Sequence, residues 1–322
     1  MRWLLLLGIA GCGVDWPDET LWTKRFENTI VRNVHVAGEA ALVFTAPNDG
    51  PPNPVAAYDI DSGRERWKMD IPGEFAGFTE SGTMYVVSLA DGVPRFQEVG
   101  PDGVVGVHEW PLLIDSNTYP HFDHGRVLTT RCVLSRCEVV QRLVSDASEV
   151  VRFEIPTDGN LQPVGLSSDG DMLIIDRYRW SRYTSSGVLA WTGDLETYAF
   201  LPDGDMVATG PLPSGESWLA RITRDREEIW RVETSLRVVD IAALRDARSS
   251  LLPLYANDGN PDSPVELVDM DSGKTSVHFV PGEQVRGVLP TSPMFTWVSK
   301  TEYYDNGAPY TAWSELAAID VE

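Results

Sequence analysis

The fold of this chain is decided by residues 55–67, Val55-Ala-Ala-Tyr-Asp-Ile-Asp-Ser-Gly63-Arg-Glu-Arg-Trp67. The apolar start is typical of a buried β-strand, and Asp-Ser-Gly is typical of a tight turn. The residues after Gly63 alternate like a second strand and bring a large aromatic, Trp67, four positions beyond the glycine. Related units occupy residues 182–191, 220–230 and 266–273, with more degraded copies near 103–110 and 145–153. The chain therefore contains an internal repeat.

The spacing of the repeat predicts the architecture. Successive large aromatics of the last strand in each unit are separated by 38 to 49 residues, which matches one four-stranded propeller blade. These blade-docking aromatics are Trp22, Trp67, Trp110, Phe153, Trp191, Trp230 and Phe279. Two nearly identical Asp-Gly hairpins, at 168–174 and 202–208, join further strands between them. The pattern predicts an all-β fold, a single β-propeller of seven four-stranded blades.

The two ends of the chain predict how the ring closes. Leu316-Ala-Ala-Ile-Asp320 repeats the third-strand sequence of residues 55–59, and no fourth strand follows it. Thr20-Leu-Trp-Thr-Lys-Arg-Phe26 has the fourth-strand pattern and no strand before it. We therefore expect the N-terminal strand to complete the last blade and to cover the edge that an open ring would expose. The predicted propeller domain spans residues 20–322.

The unit Ala57-Tyr-Asp-x-Asp-Ser-Gly-Arg-x-x-Trp67 resembles the tryptophan-docking repeat of the PQQ-like (quinoprotein dehydrogenase-like) β-propellers. By spacing the resemblance covers the whole predicted propeller, and by motif it covers only the four best units. It implies a superfamily and no particular activity. Enzymes of that superfamily bind PQQ and calcium, whereas the layout of this chain is similar to that of the lipobox-anchored propeller lipoprotein of the outer-membrane barrel assembly machinery. Propellers of the superfamily often have eight blades, which makes eight the alternative to seven.

The first residues have the pattern of a targeting signal. Met1 to Ala10 carry one positive charge and an apolar run too short to span a bilayer, as in a secretory signal peptide. Ile9-Ala-Gly-Cys12 resembles the bacterial lipobox, which implies a signal peptide at 1–11, acylation of Cys12 with palmitate-type chains, and a lipidated tether at 12–19. Two acyl chains anchor a protein stably. The expected location is the bacterial cell envelope, with the outer membrane favoured over the inner by Gly13; the alternative is a buried strand with a chance cysteine.

The other two cysteines, Cys132 and Cys137, flank a short hairpin in a chain expected to reach an oxidising compartment. A disulfide between them is expected, provided that the strand register puts both side chains on one face. Two free buried thiols and a redox-active pair are the alternatives.

Two segments contain side chains of the kind that bind metals. His121 and His124 flank Asp123, which is a partial ligand set for a transition metal, although the same residues suit a hairpin turn. Asn257, Asp258, Asn260 and Asp262 offer oxygen ligands for calcium, although they equally suit a solvated loop. The turn and the loop are the favoured interpretations. Near the C-terminus, Tyr303, Tyr304, Tyr310 and Trp313 suit either partner contact or packing of the closing blade.

Charge and motifs narrow the function. The net charge of −22 disfavours nucleic acid as a partner. The sequence contains no nucleophile elbow, phosphate-binding loop or zinc-protease motif. We expect a binding or scaffolding propeller with a membrane anchor, an envelope protein as partner and no cofactor. The alternative is a PQQ- or calcium-dependent quinoprotein-type enzyme, or another enzyme with its site in the channel.

Overall fold

The computed structural model describes residues 14, 16–48, 54–70, 74–78, 83–90, 93–109, 118–157, 161–177, 179–194, 197–201, 203–214, 216–234, 251–255, 264–280, 282–289, 291, 293–303 and 309–320. Within these ranges the regular structure is 27 β-strands arranged as seven antiparallel sheets. No helix of the described chain has the length and hydrophobicity needed to cross a membrane.

Each sheet is one blade, and the blades follow one another along the chain. Blade 1 contains β2 (Thr29–Ala37), β3 (Ala40–Pro47), β4 (Pro54–Asp59) and β5 (Glu65–Asp70). Blade 2 contains β6 (Glu74–Phe78), β7 (Met84–Ala90), β8 (Val93–Gly100) and β9 (Gly103–Glu109). Blade 3 contains β10 (Thr118–Asp123), β11 (Arg126–Val133), β12 (Arg136–Leu143) and β13 (Glu149–Pro156). Blade 4 contains β14 (Leu161–Leu166), β15 (Met172–Asp176), β16 (Arg179–Tyr183) and β17 (Leu189–Asp194).

The remaining three blades complete the ring. Blade 5 contains β18 (Thr197–Phe200), β19 (Met206–Pro211), β20 (Ser217–Ile222) and β21 (Glu228–Thr234). Blade 6 contains β22 (Leu251–Leu254), β23 (Val265–Asp269) and β24 (Thr275–Phe279), and residues 235–250 before it lie outside the described part of the chain. Blade 7 contains β25 (Gln284–Leu289), β26 (Met294–Tyr303), β27 (Pro309–Ile319) and the N-terminal strand β1 (Thr20–Glu27). The fold is a seven-bladed β-propeller, so the prediction of seven blades is confirmed and the alternative of eight is wrong.

The ring closes in blade 7 as the repeat predicts. Strand β1 pairs antiparallel with β27, and this pairing places Trp22 opposite Ala318. The backbone N–H of Asp320 also donates to the carbonyl of Glu19 at 3.0 Å, which joins the two ends of the described chain. Because β1 lies beside β27, the edge of β27 that an open ring would expose is paired.

In the blades whose four strands are all described, the first strand lies towards the axis of the ring and the fourth strand lies at the rim. First strands of neighbouring blades contact one another, as β2 does with β25 and β10 with β14. The middle strands β3 and β27 are buried over most of their length because blades cover both faces. The rim strands β1, β5 and β13 instead alternate between half-buried and exposed residues, the pattern of a strand with one face in solvent.

The two ends of the ring differ in their connections. Antiparallel pairing puts the turn between strands one and two and the turn between strands three and four at the same end of a blade. We call this end the turn face; it includes His124–Gly125 in blade 3 and residues 60–63 in blade 1. The opposite end, the loop face, carries the turns between strands two and three, such as Leu134–Ser135, and the connections between blades.

The repeated Asp-x-Asp-Ser-Gly turn has a local explanation. In blade 1, Asp59 accepts hydrogen bonds from the backbone N–H and the hydroxyl of Ser62 at 3.1 and 2.7 Å. Together with a hydrogen bond from Arg66, these hold the pKa of Asp59 at about 2. Gly63 follows with a φ of 65°, and a Cβ there would lie 2.6 Å from Cδ2 of Trp22. The turn therefore needs glycine both for its backbone and for the close approach of the preceding blade.

Candidate interaction site

Four tryptophans connect neighbouring blades through equivalent hydrogen bonds. Trp22, Trp67, Trp191 and Trp230 occupy equivalent positions on the fourth strands of blades 7, 1, 4 and 5. The indole N–H of each donates to a backbone carbonyl in a turn of the next blade. The acceptors are the carbonyls of Ile60, Pro101, Arg224 and Met270, at 2.6, 2.6, 3.0 and 2.7 Å. These hydrogen bonds fix the positions of neighbouring blades relative to each other. The loops at both faces are therefore carried by blades that are joined to one another.

Two of the other three predicted blade-docking aromatics, Phe153 and Phe279, are placed differently. Phe153 packs on Gly187 of the next blade but lies two residues further along its strand than the tryptophans do. Phe279, at the seam of the ring, has no turn to dock on and stacks instead on Trp16, with ring centroids 5.8 Å apart. Trp110 lies outside the described residues. Because a phenyl ring has no N–H donor, these two phenylalanines contribute packing only.

Blade 3 presents a hairpin clamped by a disulfide on the loop face. Strands β11 and β12 pair in a register that sets Cys132 directly opposite Cys137, and the two sulfurs are bonded. Only one further residue pair, Val133 opposite Arg136, separates the disulfide from the turn at Leu134–Ser135. The hairpin tip is therefore held by a covalent link one residue pair below it.

The tip of this hairpin carries an apolar side chain that is almost fully exposed. Leu134 is 97% exposed and Val133 is 60% exposed. Leu134 also has a φ of 57°, a left-handed conformation that is unfavourable for a leucine. Of the two turn residues only the first has a positive φ, as in a type II′ turn, where that position normally holds glycine. A strained and fully exposed leucine adds nothing to stability, which marks it as a candidate contact residue.

Polar interactions hold the tip of the hairpin against the rim of blade 3. The backbone N–H of Thr157 donates to the carbonyl of Ser135 at 3.0 Å, and Arg136 pairs with Glu154 at 3.1 Å. Lower on the same blade, Arg152 binds both Glu138 and Glu149, and its hydrogen bonds lower the pKa of the Glu149 carboxyl. The site is thus an exposed apolar side chain on a charged hairpin that a disulfide holds in place.

The residues predicted as metal ligands do not assemble into a site in the part of the chain that the structure covers. His121 is buried in β10, whereas His124 lies in the following turn with a φ of 46°. Its Nε2 is 3.9 Å from a carboxylate oxygen of Asp123. No group of three or more His, Cys, Asp or Glu side chains among the described residues is arranged to hold a metal ion. The calcium candidates Asn257, Asp258, Asn260 and Asp262 and the acylation candidate Cys12 lie outside the described residues.

The aromatic residues near the C-terminus divide between the two predicted roles. Trp313 is buried in blade 7 and its ring is covered by the guanidinium of Arg25 at 4.1 Å, which is a packing role. Its interpretation as a contact residue is therefore wrong. Tyr303, in contrast, is 70% exposed at the loop-face end of β26. The hydroxyl of Tyr310 donates to Glu302 at 2.8 Å, and Tyr304 lies outside the described residues.

Sequence reasoning identified the hairpin but missed its most informative residue. Val133-Leu-Ser135 between the cysteines contains neither of the residues, glycine and asparagine, that two-residue turns favour. The available signal was the apolar pair Val133-Leu134, at a turn where a small or polar residue is normally found. Its meaning depends on exposure, which only the folded blade determines.

Comparisons with known proteins find similarity in fold but not in sequence. No family model matches the chain, and no curated protein matches it in sequence. Among solved structures, the β-propeller domain of Cps50 (Swd1) from Myceliophteria thermophila has a TM-score of 0.50 at 9% identity, covering 90% of this chain and 99% of that one. A structure from a study of two prolyl endopeptidases has a TM-score of 0.53 at 12% identity, covering 88% of this chain and 46% of that one. BamB from Moraxella catarrhalis has a TM-score of 0.45 at 9% identity, covering 92% of this chain and 100% of that one. At these identities the likeness establishes the fold alone: the chain is a seven-bladed β-propeller.

Proposed function

We propose that this chain is a lipid-anchored protein of the bacterial cell envelope, on the outer membrane, whose propeller binds a protein partner through the clamped hairpin of blade 3. The observation that carries the proposal is Leu134, an apolar side chain that is 97% exposed in a left-handed conformation at a covalently fixed tip. Rigid exposed apolar residues lose little conformational entropy on binding and gain the burial of their whole surface.

The position of β1 supports an orientation that leaves this hairpin accessible. Strand β1 begins at Thr20 on the turn face. Before it, the indole N–H of Trp16 donates to Glu315 at 2.6 Å. Val14 and Trp16 both pack against the hydrophobic core between blades 6 and 7. Only two residue steps, about 7 Å of extended chain, then separate Val14 from Cys12. An acylated Cys12 would hold the turn face towards the membrane and direct the loop face, with Leu134, away from it.

Site-specific photo-crosslinking in cells of the native host tests partner binding. A photoreactive amino acid at position 133 of the full-length chain is expected to give one discrete protein adduct. The Leu134→Gly substitution in the same chain is expected to abolish this adduct, while raising the free energy of unfolding by about 1 kcal/mol because it removes the left-handed strain. A matched probe at Val188, which is 62% exposed on the turn face, is expected to give no such adduct.

The outcomes separate a binding role from a structural one. An adduct that survives Leu134→Gly, or no adduct from position 133, contradicts binding through the hairpin. Anchoring is tested independently by labelling with a palmitate analogue, where Cys12→Ser is expected to remove the label and release the protein from the membrane fraction. Retention of the label in Cys12→Ser contradicts the lipobox interpretation.

A further inference from the structure

Two arginines occupy the same irregular position on the innermost strands of neighbouring blades. In β2, Val31 pairs with Thr45 and Asn33 pairs with Phe44, so Arg32 between them is the extra residue of a β-bulge. In β25, Val285 pairs with Val298 and Gly287 pairs with Trp297, so Arg286 is the extra residue of an equivalent bulge. Bulges redirect a side chain away from the regular alternation of the strand.

The two bulges lie on neighbouring strands at the contact between blades 1 and 7. Strands β2 and β25 lie side by side on the axis side of the ring. The backbone N–H of Val31 also donates to the hydroxyl of Ser314 in blade 7 at 3.4 Å, which ties the two blades together beside the bulges. The bulge in β14 of blade 4 carries Val164 instead. The pair of cationic bulge residues is therefore a feature of this one blade junction among the described inner strands.

The guanidinium of Arg286 is half-buried, and the groups that it binds among the described residues are neutral hydroxyls. Its Nε donates to the hydroxyl of Ser299 at 2.5 Å, and Nη2 donates to the hydroxyl of Thr301 at 3.2 Å. In the part of the chain that the structure describes, no carboxylate forms an ion pair with Arg286 or with Arg32. Burial and the nearby charge of Arg32 both lower the pKa of Arg286, so both effects act against its charge.

An uncompensated pair of cations is unexpected in this protein. The chain carries 48 acidic and 26 basic residues, so carboxylates are abundant. A partly buried charge is normally paired, because desolvation without a counter-charge is costly. Arg286 is the half-buried member of the pair and Arg32 is the exposed one. Together with the two hydroxyls that Arg286 contacts, the two guanidinium groups offer several N–H and O–H donors to one group of negatively charged oxygens.

We propose that Arg32 and Arg286, with the hydroxyls of Ser299 and Thr301, form a binding site for a small oxyanion with a phosphate or carboxylate group, on the inner wall of the ring between blades 7 and 1. The anion would neutralise the two cations and accept the hydrogen bonds that Arg32 does not make within the described protein. The site is separate from the hairpin of blade 3 and does not depend on it.

Isothermal titration of the intact protein at low ionic strength, with inorganic phosphate in one series and citrate in another, tests the proposal. Saturable binding with a stoichiometry of one is expected for at least one anion, and the comparison of series distinguishes phosphate from carboxylate recognition. Arg32→Gln is expected to weaken binding about tenfold or more. Arg286→Lys, which keeps the charge but loses the planar fork, is expected to weaken it as well. Arg64→Gln, an exposed arginine at a rim turn, is the matched control and is expected to bind as the parent does.

A second measurement separates ligand binding from a structural role. Without added anion, Arg32→Gln is expected to raise the thermal unfolding midpoint, because it removes repulsion from Arg286. With saturating anion, the parent protein is expected to gain more in its midpoint than Arg32→Gln gains. No saturable binding of either anion, or equal affinity in the parent and Arg32→Gln, overturns the proposal. A lower midpoint of Arg32→Gln in the absence of anion also overturns it, because Arg32 would then have a stabilising partner of its own.

Discussion

At the scale of single residues, one turn position holds glycine in two blades and alanine in a third, which shows how a side chain there affects the backbone energy. Gly63, Ala147 and Gly273 each follow a third strand, and the N–H of each donates to the carbonyl four residues earlier, at 2.9, 3.1 and 2.7 Å. Their φ angles are 65°, 59° and 69°. Alanine pays for this left-handed conformation, whereas glycine adopts it freely. Blade 3 therefore uses the backbone of the other turns with a less suitable residue.

Replacing Ala147 with glycine is expected to stabilise the protein by roughly 0.5–1 kcal/mol, since relief of the left-handed strain exceeds the added entropy of the unfolded chain. The reverse change, Gly63→Ala, is expected to destabilise by about 2 kcal/mol or more, because strain adds to the clash with Trp22. Equilibrium urea unfolding with the disulfide intact measures both changes. A less stable Ala147→Gly protein would show that the packing of the Ala147 methyl outweighs its strain.

At the scale of strands, blades are joined by a repeated arrangement in which one carbonyl accepts two side-chain donors. The carbonyl of Arg224 accepts from Arg182 at 2.6 Å and from Trp191 at 3.0 Å. In the next blade, the carbonyl of Met270 accepts from Arg221 at 3.1 Å and from Trp230 at 2.7 Å. A carbonyl has two lone pairs, so both acceptors are fully used. The arginine of the third strand and the tryptophan of the fourth thus act together on the next blade.

The two arginines are expected to differ in energetic importance because their carboxylate partners differ in exposure. Arg182 and its partner Asp171 have side chains only 7% exposed, whereas the partners of Arg221, Asp203 and Asp205, are 54% and 24% exposed. Arg182→Met is expected to cost about 3 kcal/mol, since it removes the close counter-ion of a buried carboxylate and leaves Asp171 with the longer contact to Arg224 at 3.8 Å. Arg221→Met is expected to cost about 1 kcal/mol.

Urea unfolding of the two methionine variants measures this difference directly. The double variant Arg182→Met with Asp171→Asn serves as the control, and it is expected to recover part of the lost stability because no unpaired charge remains. Equal costs for the two arginines would mean that the shared carbonyl, rather than the ion pair, determines the strength of these blade junctions.

At the scale of the whole molecule, stability depends on closing the ring, because the core is divided among the junctions between blades. One cluster combines Val31 and Tyr58 of blade 1 with Phe295 of blade 7. Another combines Leu173 of blade 4 with Tyr198 of blade 5. Strand β1 covers the first of these clusters, where the ring of Trp22 lies 5.8 Å from that of Phe295. Each blade therefore depends on both neighbours for burial of its faces.

A chain that begins at Asn28, without β1, is expected to lose cooperative unfolding and to associate at higher protein concentration. Its β27 edge and the cluster beneath Trp22 would both be exposed. A chain that begins at Val14 retains β1 and is the matched control. Calorimetry and sedimentation velocity measure the two effects. A monomeric, cooperatively unfolding chain from Asn28 would contradict the role of β1 in holding the ring closed.

The amino-acid sequence alone specifies the blade architecture, because the turn chemistry of Asp-Ser-Gly and the position of the tryptophan are local and recur at a nearly constant spacing. It also determined the closure by β1, since residues 20–26 and 316–320 carry complementary parts of one repeat. Both inferences rest on short-range patterns that survive substitution in individual copies.

The tertiary structure alone decided which residues are exposed and which converge. Because leucine is apolar, its type alone favours a buried position for Leu134. Its place at a hairpin tip instead leaves it exposed to solvent. Arg32 and Arg286 are more than 250 residues apart, and they become neighbours only because blade 7 closes against blade 1 and because both strands bulge at the same position. The bulges and the approach of their side chains depend on packing between blades, which is a long-range property that no local sequence pattern encodes.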